Sequence, residues 1–281
     1  MSEKIDEGII IGSVDFATIK QTETILSQMK KSICKIKGKL FGTGFFCHIK
    51  YDKKDIPCLM TNYHVLDEKH IKENNKIKIS MNDNAINEEI KINEQDIIYL
   101  SKRDEYDLII IKLKEGQHYM NNINYLELDD NLFNENSKNG YESIYILHYP
   151  NAQNAAVSYD GNGITYDDKK KYDIQHKCNT LSGSSGGPIL NLLTNKIIGI
   201  HKGFIQKKDG MKYNIGTFLK EPLEEINNKN NDIFIPIFTT NRRSKKLIEK
   251  DSNFNNINLD NNLNNIFINN NFNILNQAQI N

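Results

Sequence analysis

Several residue types are scarce in this 281-residue sequence, which has no tryptophan, five prolines and four cysteines. A net charge is absent as well, because 36 lysines and arginines balance 36 aspartates and glutamates. A neutral chain offers no electrostatic footprint for nucleic acid or for an anionic membrane surface. We therefore expect neither of these as the main partner.

Long hydrophobic runs are also missing. The amino-terminal segment has only a four-residue apolar run at 8–11, G-I-I-I, which is shorter than the core of a signal peptide. No other stretch has the roughly 20 apolar residues that a membrane-spanning helix needs. These absences predict an intracellular protein, with the cytoplasm as the expected compartment.

The four cysteines are Cys34, Cys47, Cys58 and Cys178, and none of their spacings is C-x-x-C. In a reducing compartment such cysteines are expected to be free thiols that are mostly buried. Cys47 and Cys58 could face each other across a hairpin, but without a secretory signal we do not predict a disulfide.

The most informative stretch is a run of small residues at 180–188, T-L-S-G-S-S-G-G-P. Apolar chain follows, with I-L at 189–190 and I-I-G-I at 197–200. Such a segment cannot build a core, but it suits a loop whose backbone N–H groups point at a ligand. A serine in this loop becomes a nucleophile if a base reaches it and N–H donors stabilise the oxyanion.

A histidine and a carboxylate stand in suitable contexts upstream of this loop. His64 closely follows the apolar run C-L-M at 58–60, and Asp107 precedes L-I-I-I at 108–111. With Ser185 they give the order His, Asp, Ser at separations of 43 and 78 residues, one of the orders in which a catalytic triad occurs. Each residue alone has an ordinary structural interpretation, as a core histidine, a strand-start cap or a loop serine. Their combination favours a triad.

Four motifs in this order resemble the chymotrypsin-fold, trypsin-like serine proteases. The family motifs T-A-A-H, D-[IL]-A-L and G-[DN]-S-G-[GS]-P correspond to T-N-Y-H at 61–64, D-L-I-I at 107–110 and G-S-S-G-G-P at 183–188. The run G-T-G-F-F at 42–46 precedes them, and the similarity extends over about residues 33–228. Within the family, the sequence is most similar to bacterial glutamyl endopeptidases and to HtrA-type trypsin-like peptidase domains.

The resemblance implies a serine endopeptidase that uses acyl-enzyme chemistry and needs no metal or organic cofactor. Ser185 would be the nucleophile, His64 the general base and acid, and Asp107 the residue that orients the imidazole and stabilises its cation. The N–H groups of Gly183 and Ser185 would form the oxyanion hole, where one donor typically contributes about 10²–10³ in turnover. Ser184 stands where activation by a trypsin-type salt bridge needs an acid, so we do not expect that zymogen switch.

The resemblance also indicates where the P1 side chain of a substrate would bind. Asn179 stands six residues before Ser185, at the base of the pocket, so the acid that selects lysine or arginine is absent. Thr180 matches a threonine of the glutamyl endopeptidases, and G-I-H-K-G at 199–203 is similar to them and to viral proteases that cut after glutamine. Asn179, Thr180, His201 and Gly203 would line a pocket for Glu or Gln, because an imidazole can donate to a carboxylate or an amide. The alternative is that His201 only fills a strand position.

The pattern along the chain is that of an all-β protein. Short apolar and alternating segments recur from residue 33 to residue 215. The resemblance implies two antiparallel six-stranded β-barrels (chymotrypsin-like), with the active site between them and a short carboxy-terminal helix. That helix is expected to begin near Pro222, with the proline in its first turn.

We divide the chain into four parts. An amino-terminal strap, which could also contain a short helix, spans 1–31, and the first barrel spans 32–115. The second barrel, with the carboxy-terminal helix and a basic segment, spans 116–250. Residues 251–281 are dominated by asparagine and are expected to be disordered, because such a tail buries too little apolar surface to offset its ordering entropy.

Two alternatives to a protease that acts on other proteins remain open at this point. The chain could be a catalytically silent protease-fold protein that binds peptides or acts as a scaffold, or an enzyme that cleaves only itself or an ester. The intact triad and the glycine loop argue against a silent protein. The expected partner is a peptide or protein substrate, and the sequence does not predict the oligomeric state. The other histidines considered carry no comparable context, namely His48, His70, His118, His148 and His176.

Overall fold

The structure, a computed structural model, describes residues 17–114, 116, 118–134, 141–167, 170–206, 210 and 212–229. The first part of the predicted strap, the basic segment and the asparagine-rich tail at 251–281 lie outside the described residues. The boundaries at 31, 115 and 250 between the parts of the chain stay a prediction.

The described residues form fourteen β-strands and three α-helices. The first group of strands is β1 (Ile33–Lys37), β2 (Phe41–Tyr51), β3 (Lys54–Thr61), β4 (Lys76–Met81), β5 (Ile86–Lys91), β6 (Ile97–Ser101) and β7 (Leu108–Lys112). The second group is β8 (Ile144–His148), β9 (Ala156–Asp160), β10 (Thr165–Tyr166), β11 (Asp173–His176), β12 (Pro188–Asn191), β13 (Ile197–Gln206) and β14 (Lys212–Phe218). The helices are α1 (Ile19–Lys31), α2 (Glu68–Asn74) and α3 (Lys220–Lys229).

The strands form two antiparallel sheets, in the orders β5-β4-β1-β2-β3-β7-β6 and β10-β11-β14-β13-β12-β8-β9. In each sheet the two edge strands are consecutive in the chain, joined by residues 92–96 in the first and 161–164 in the second. A connection this short spans at most about 18 Å, so each sheet must curl until its edges approach each other. The prediction of an all-β chain with two antiparallel barrels is confirmed.

Each sheet has seven strands, where the family resemblance implies six. In the first sheet, a 3₁₀ turn at Glu94–Asp96 separates β5 from β6, so these are two strands. The carboxylate of Asp96 accepts the N–H of Asn93 at 2.7 Å, which stabilises this turn. In the second sheet the chain turns between β9 and β10, where Gly163 has a φ of +65°.

One cluster of buried apolar residues contains members of both sheets. It includes Phe45, Met60 and Ile110 of the first sheet, and Ile146 and Ile189 of the second. Burial of one such side chain stabilises the fold by about 1.5–3 kcal/mol. A continuous core of this kind fixes the two barrels against each other, and therefore fixes the loops that lie between them.

Helix α1 connects the two sheets and accounts for the described part of the predicted strap. Thr18 caps the helix: its hydroxyl accepts the N–H of Gln21 at 3.3 Å, while the Gln21 side chain accepts the N–H of Thr18 at 2.8 Å. Gln28 accepts from the Tyr145 hydroxyl at 2.7 Å and donates to the Asn195 carbonyl at 2.9 Å. The helix thus contacts the second sheet just before the chain enters β1 of the first.

Helix α3 begins two residues before Pro222, so the predicted carboxy-terminal helix with a proline in its first turn is confirmed. Leu223 is buried on its inner face. Glu225 accepts from the hydroxyls of Tyr99 and Tyr106 at 3.0 and 2.9 Å, which attaches the helix to the first sheet. Among the helices that the structure describes, none is long and apolar enough to cross a membrane.

All four cysteines are free and buried. Cys47 lies opposite Cys58 in the β2–β3 register. Burial raises the pKa of both thiols above the ordinary value. Both side chains therefore stay protonated in the barrel interior at neutral pH.

Candidate active site

His64 and Asp107 are brought together by the pairing of β3 with β7. These strands are antiparallel, with Thr61 opposite Ile109, so the residues just after β3 lie beside the residue just before β7. The Asp107 Oδ2 lies 2.6 Å from the His64 Nδ1, and its Oδ1 accepts the His64 backbone N–H at 3.0 Å. The carboxylate is 1% exposed, so water does not compete for these two contacts.

The backbone of Asp107 is held in an uncommon conformation, with a φ of +53°. Its carbonyl accepts from the Asn62 side-chain amide at 2.9 Å and from the Tyr63 N–H at 3.2 Å. Its own N–H donates to the carbonyl of Lys102 at 2.9 Å. A left-handed residue that its surroundings fix in this way is typical of functional sites, and aspartate tolerates the conformation better than most residues.

The loop that carries Ser185 needs its glycines. Gly183 and Gly186 have φ values of +88° and +87°, in the left-handed region. A Cβ at Gly186 would lie 2.0 Å from the carbonyl oxygen of Thr43, and a Cβ at Gly183 would lie 2.7 Å from that of Tyr149. The loop therefore packs its backbone directly on the backbone of two other segments.

The backbone N–H groups at 183–187 of this loop fall into two sets. Those of Ser184, Gly186 and Gly187 donate to protein carbonyls at 3.0, 2.9 and 3.0 Å. Those of Gly183 and Ser185 donate to no acceptor within the part of the chain that the structure describes. Two unused donors that flank one residue can hold a single oxyanion between them.

Thr43 on β2 links the first sheet to both sides of the serine loop. Its N–H donates to the Ser185 carbonyl at 2.8 Å, and its hydroxyl donates to the Gly183 carbonyl at 2.8 Å. The same hydroxyl accepts the N–H of Tyr149 at 3.0 Å, and the Thr43 carbonyl accepts from the Thr61 hydroxyl at 2.7 Å. This fully buried threonine was not a predicted site residue; its position between two glycines is a signal of close backbone approach.

The Ser185 hydroxyl donates to the carbonyl of Lys202 at 3.2 Å. No hydrogen bond joins it to His64 among the contacts of these two described residues. The side chain of Lys202 pairs with the carboxylate of Asp173 in a buried ion pair. The strand that would border the substrate is therefore anchored by its own side chain.

Ser184 is fully buried and is held by His148, which sequence reasoning set aside. The Ser184 hydroxyl accepts the N–H of Leu181 at 3.0 Å and lies 2.7 Å from Nδ1 of His148, whose Nε2 lies 3.1 Å from the Ser158 hydroxyl. Burial lowers the pKa of His148 to about 4, so the ring is neutral at pH 7. The signal that could have found it is a histidine inside the otherwise apolar strand Ile144–His148, because a buried imidazole needs polar partners.

The residues predicted to bind a P1 side chain lie beside the serine loop. The Gly186 N–H donates to the carbonyl of His201, and the His201 N–H donates to the carbonyl of Gly187, both at 2.9 Å. The His201 side chain is 2% exposed, and its Nδ1 lies 3.3 Å from Nε2 of His176. Burial and the neighbouring His176 ring lower the pKa of His201 well below the ordinary value.

The other three predicted pocket residues differ in their surroundings. Asn179 is exposed, and the half-buried Thr180 donates its hydroxyl to the Asn214 side-chain oxygen at 2.8 Å. A Cβ at Gly203 would meet no atom within 4 Å, so the space in front of this glycine is open. Among these residues His201 is buried on β13, Gly203 lies two residues further along the same strand, and Thr180 bonds to Asn214 on β14.

Two barrels with a serine loop between them, facing a paired histidine and aspartate, define a chymotrypsin-fold, trypsin-like serine protease. The family model described as trypsin-like peptidase domain matches residues 42–200. This match covers more than half of the chain, which belongs to that family. No curated protein matches the sequence.

Solved structures share the fold at low sequence identity. An inactive form of Rv3671c from M. tuberculosis H37Rv is 16% identical, with a TM-score of 0.50 over 80% of this chain and 100% of that chain. The HtrA-type protease AlgW with a tripeptide is 15% identical, with a TM-score of 0.51 over 74% of this chain and 63% of that chain. The structure of AlgW with a decapeptide is 14% identical, with a TM-score of 0.50 over 77% of this chain and 68% of that chain. At these identities the likeness concerns the fold.

Proposed function

We propose that the protein is a serine endopeptidase in which Ser185, His64 and Asp107 act as a catalytic triad. One observation carries the proposal: within residues 183–187, the N–H groups of Gly183 and Ser185 have no protein acceptor, whereas those of Ser184, Gly186 and Gly187 are paired. Backbone donors that are shielded from water are almost always paired, so two unpaired donors on either side of the buried Ser184 favour a site for a ligand. A developing oxyanion is such a ligand.

The chemistry follows from these positions. The Ser185 Oγ attacks the scissile carbonyl carbon while His64 Nε2 takes the hydroxyl proton, and the carbonyl oxygen becomes an oxyanion held by the two N–H groups. Asp107, already bonded to Nδ1, stabilises the imidazolium. His64 then gives the proton to the leaving amine, and the C–N bond breaks to leave an acyl-enzyme. Water, activated by His64, hydrolyses the ester and restores Ser185.

Substrate binding would also release the nucleophile. In the free protein the Ser185 hydroxyl donates to the Lys202 carbonyl. A substrate strand that lies along β13 offers its own N–H to this carbonyl, since backbone pairing at a strand is a common mode of peptide recognition. The Ser185 hydroxyl then loses its acceptor and can rotate toward His64.

For specificity we propose a P1 preference for Gln or Glu, read by His201. His176 Nδ1 is buried without a partner. Because an orphaned N–H is rarer than an orphaned acceptor, we assign the His176 proton to Nε2, from which it donates to His201 Nδ1. The proton of His201 then resides on Nε2, and in this proposal the oxygen of a P1 side chain competes for it with the backbone of Ile215, which also hydrogen-bonds the ring. In this proposal Thr180 and the open space at Gly203 border the same P1 pocket, and the exposed Asn179 lies at its solvent-facing end.

The first test uses a fluorophosphonate probe, which labels activated serines. We expect labelling of the natural protein and of Ser182→Ala, a control that alters an exposed serine of the same loop, and loss of labelling in Ser185→Ala. Absence of labelling and of peptide cleavage by well-folded natural protein would overturn the proposal in favour of a silent peptide-binding protein.

The second test measures kcat/KM for peptides that differ only at P1. Gln and Glu peptides should be cleaved best, and His201→Phe should lower their kcat/KM by about 10²-fold or more, because a pocket built to hydrogen-bond a group depends on that bond. The His48→Phe variant, which changes an exposed histidine of the first sheet, should keep the preference. Equal cleavage after apolar P1 residues would remove the role of His201 while leaving the triad in place.

A further inference from the structure

A row of cationic side chains crosses the first sheet close to the serine loop. Phe41 on β2 lies opposite Lys37 on β1, and Lys37 lies opposite Lys78 on β4. Since directly opposed residues project from the same face of a sheet, these three side chains are neighbours. Two like charges placed directly opposite each other destabilise a sheet, so their presence here calls for a stabilising partner.

The next row of the same face reaches the candidate active site. Thr43 lies opposite Lys35, two residues along the strands from Phe41 and Lys37. The Thr43 N–H donates to the Ser185 carbonyl, and the Lys35 ammonium donates to the Ala152 carbonyl at 3.0 Å. Two residues of a strand span about 7 Å. The cationic row therefore begins about 7 Å along β2 from the contact with Ser185.

A cavity of about 420 Å³ covers this part of the face and is lined by Lys35, Lys37, Phe41 and Lys78. The ring of Phe41 is 51% exposed, which leaves an apolar wall facing solvent. We call these four residues the cationic face.

Nearby carboxylates offset part of the charge of the cationic face without forming an ion pair with its lysines. Glu89, opposite Lys78 in the β4–β5 register, also borders the cavity; it bonds to Lys76 at 2.8 Å, and the charge of Lys78 adds to the lowering of its pKa. Glu88 also borders the cavity, but the strand alternation directs it to the other face. Within the described residues, no carboxylate lies within ion-pair distance of Lys35, Lys37 or Lys78.

The position of this face decides which part of a substrate would meet it. The proposed P1 residues His201 and Gly203 lie on β13 of the second sheet, whereas the cationic face belongs to the first sheet. A substrate with its P1 residue over β13 passes Ser185 and continues along β2. Because an extended chain advances about 3.3–3.6 Å per residue, the second to fourth residues after the scissile bond reach the row of Phe41 and Lys37.

We propose that the cationic face binds an acidic segment of the substrate directly after the scissile bond, at P2′ to P4′. The ammonium groups of Lys37 and Lys78 pair with its carboxylates, Lys35 adds positive charge, and Phe41 covers the apolar part of the segment. This proposal rests on the proposed peptidase function, since that function defines the scissile bond and the direction of the substrate.

The experiment compares quenched fluorescent peptides that share residues up to P1′ and carry Asp/Glu, Asn/Gln or Lys residues at P2′–P4′. We expect kcat/KM to fall in that order, by about tenfold between acidic and neutral peptides, and the difference to shrink with added salt because these charges are exposed. The double variant Lys37→Glu/Lys78→Glu should favour the Lys peptide. The matched control Lys54→Glu/Lys112→Glu makes the same charge change on exposed strand positions of β3 and β7 and should keep the acidic preference.

A binding measurement separates this proposal from the proposed function. Ser185→Ala is titrated with the same peptides, fluorescently labelled, and anisotropy gives Kd without turnover. Tighter binding of the acidic peptide, lost in Ser185→Ala combined with the Lys37 and Lys78 reversals, supports the cationic face even if the natural protein cleaves nothing. Equal Kd for acidic and neutral peptides, or equal kcat/KM with cleavage intact, overturns the proposal and leaves the triad untouched.

Discussion

At the scale of single residues, the candidate site depends on side chains that bond to backbone rather than to substrate. Thr43 bonds to the carbonyls of Gly183 and Ser185 from the opposite sheet, which fixes the backbone of the two residues whose N–H groups have no protein acceptor. His148 does the same for the residue between them, through the hydroxyl of Ser184. Such contacts supply the preorganisation on which oxyanion stabilisation depends.

The first prediction concerns the Thr43 hydroxyl. In Thr43→Val the Gly183 carbonyl loses its donor and the Tyr149 N–H loses its acceptor, which costs about 1–3 kcal/mol for each buried group. We expect kcat to fall by about 10–100-fold with little change in KM, because the oxyanion donors act mainly in the transition state. Steady-state kinetics on a cleaved peptide checks this.

Two further variants give the controls for Thr43. Thr43→Ser keeps the hydroxyl and should retain most of the natural kcat, whereas Thr165→Val changes an exposed strand threonine and should be neutral. If Thr43→Val lowered stability in urea but left kcat unchanged, Thr43 would hold the fold and not the oxyanion donors.

The sequence predicts which residues could react, but not what positions them. His64, Asp107 and Ser185 stand in local motifs, so their types and contexts can be found by reading along the chain. The bond between Thr43 and Tyr149 joins residues 106 positions apart, and no local pattern encodes such a pairing. His148 and its partner Ser184 were missed for the same reason.

At the scale of elements, the strands follow from short-range alternation and the short helix α2 does not. Segments such as Ile77–Met81 alternate apolar and polar residues, and this local pattern alone predicts a strand. Helix α2 has only seven residues and depends on a cap in which the Asp67 carboxylate accepts the His70 N–H at 2.8 Å. Each barrel has seven strands, one more than the family resemblance implies. Turns separate β5 from β6 and β9 from β10, and the resemblance does not predict these divisions.

The second prediction concerns how β13 is anchored. Lys202 pairs with Asp173 of β11 across β14, and both side chains are largely buried, with exposed fractions of 7% and 12%. Removing one partner leaves an uncompensated charge, so Asp173→Asn should lower the free energy of unfolding by about 3 kcal/mol. Urea denaturation at pH 7 measures this.

A double-variant cycle tests that the effect belongs to the pair. Lys202→Met/Asp173→Leu removes both charges, and its loss of stability should be clearly smaller than the summed losses of the single variants. Additive losses within about 0.5 kcal/mol would mean that the two side chains act independently.

At the scale of the whole molecule, the two barrels differ in how they respond to acid. The second barrel buries His148, His176 and His201, each about 2% exposed. Burial lowers the pKa of His148 and of His176 to about 4, and that of His201 falls well below the ordinary value. In the first barrel the exposed His48 has no comparable environment. The acid sensitivity that comes from these three buried histidines therefore belongs to the second barrel.

The third prediction is a loss of stability between pH 6.5 and pH 4. In the unfolded chain these histidines bind protons near pH 6.5, whereas in the folded protein His148 and His176 do so only near pH 4. The unfolded state then binds more protons in this window, and the free energy of unfolding falls as the pH falls. Protonation of each of these two histidines in the unfolded chain should lower the free energy of unfolding by about 2 kcal/mol at pH 5, relative to pH 7.5. Urea denaturation at pH 7.5, 6 and 5 measures the slope.

A matched pair of variants assigns that slope to buried histidines. His176→Gln removes one titrating group and should flatten the dependence by about 2 kcal/mol at pH 5, whatever it costs at pH 7.5. His48→Gln removes an exposed histidine and should leave the slope unchanged. A natural protein equally stable at pH 7.5 and pH 5 would show that these rings take up protons in the fold as readily as in the unfolded chain, which contradicts the lowered pKa values of His148 and His176.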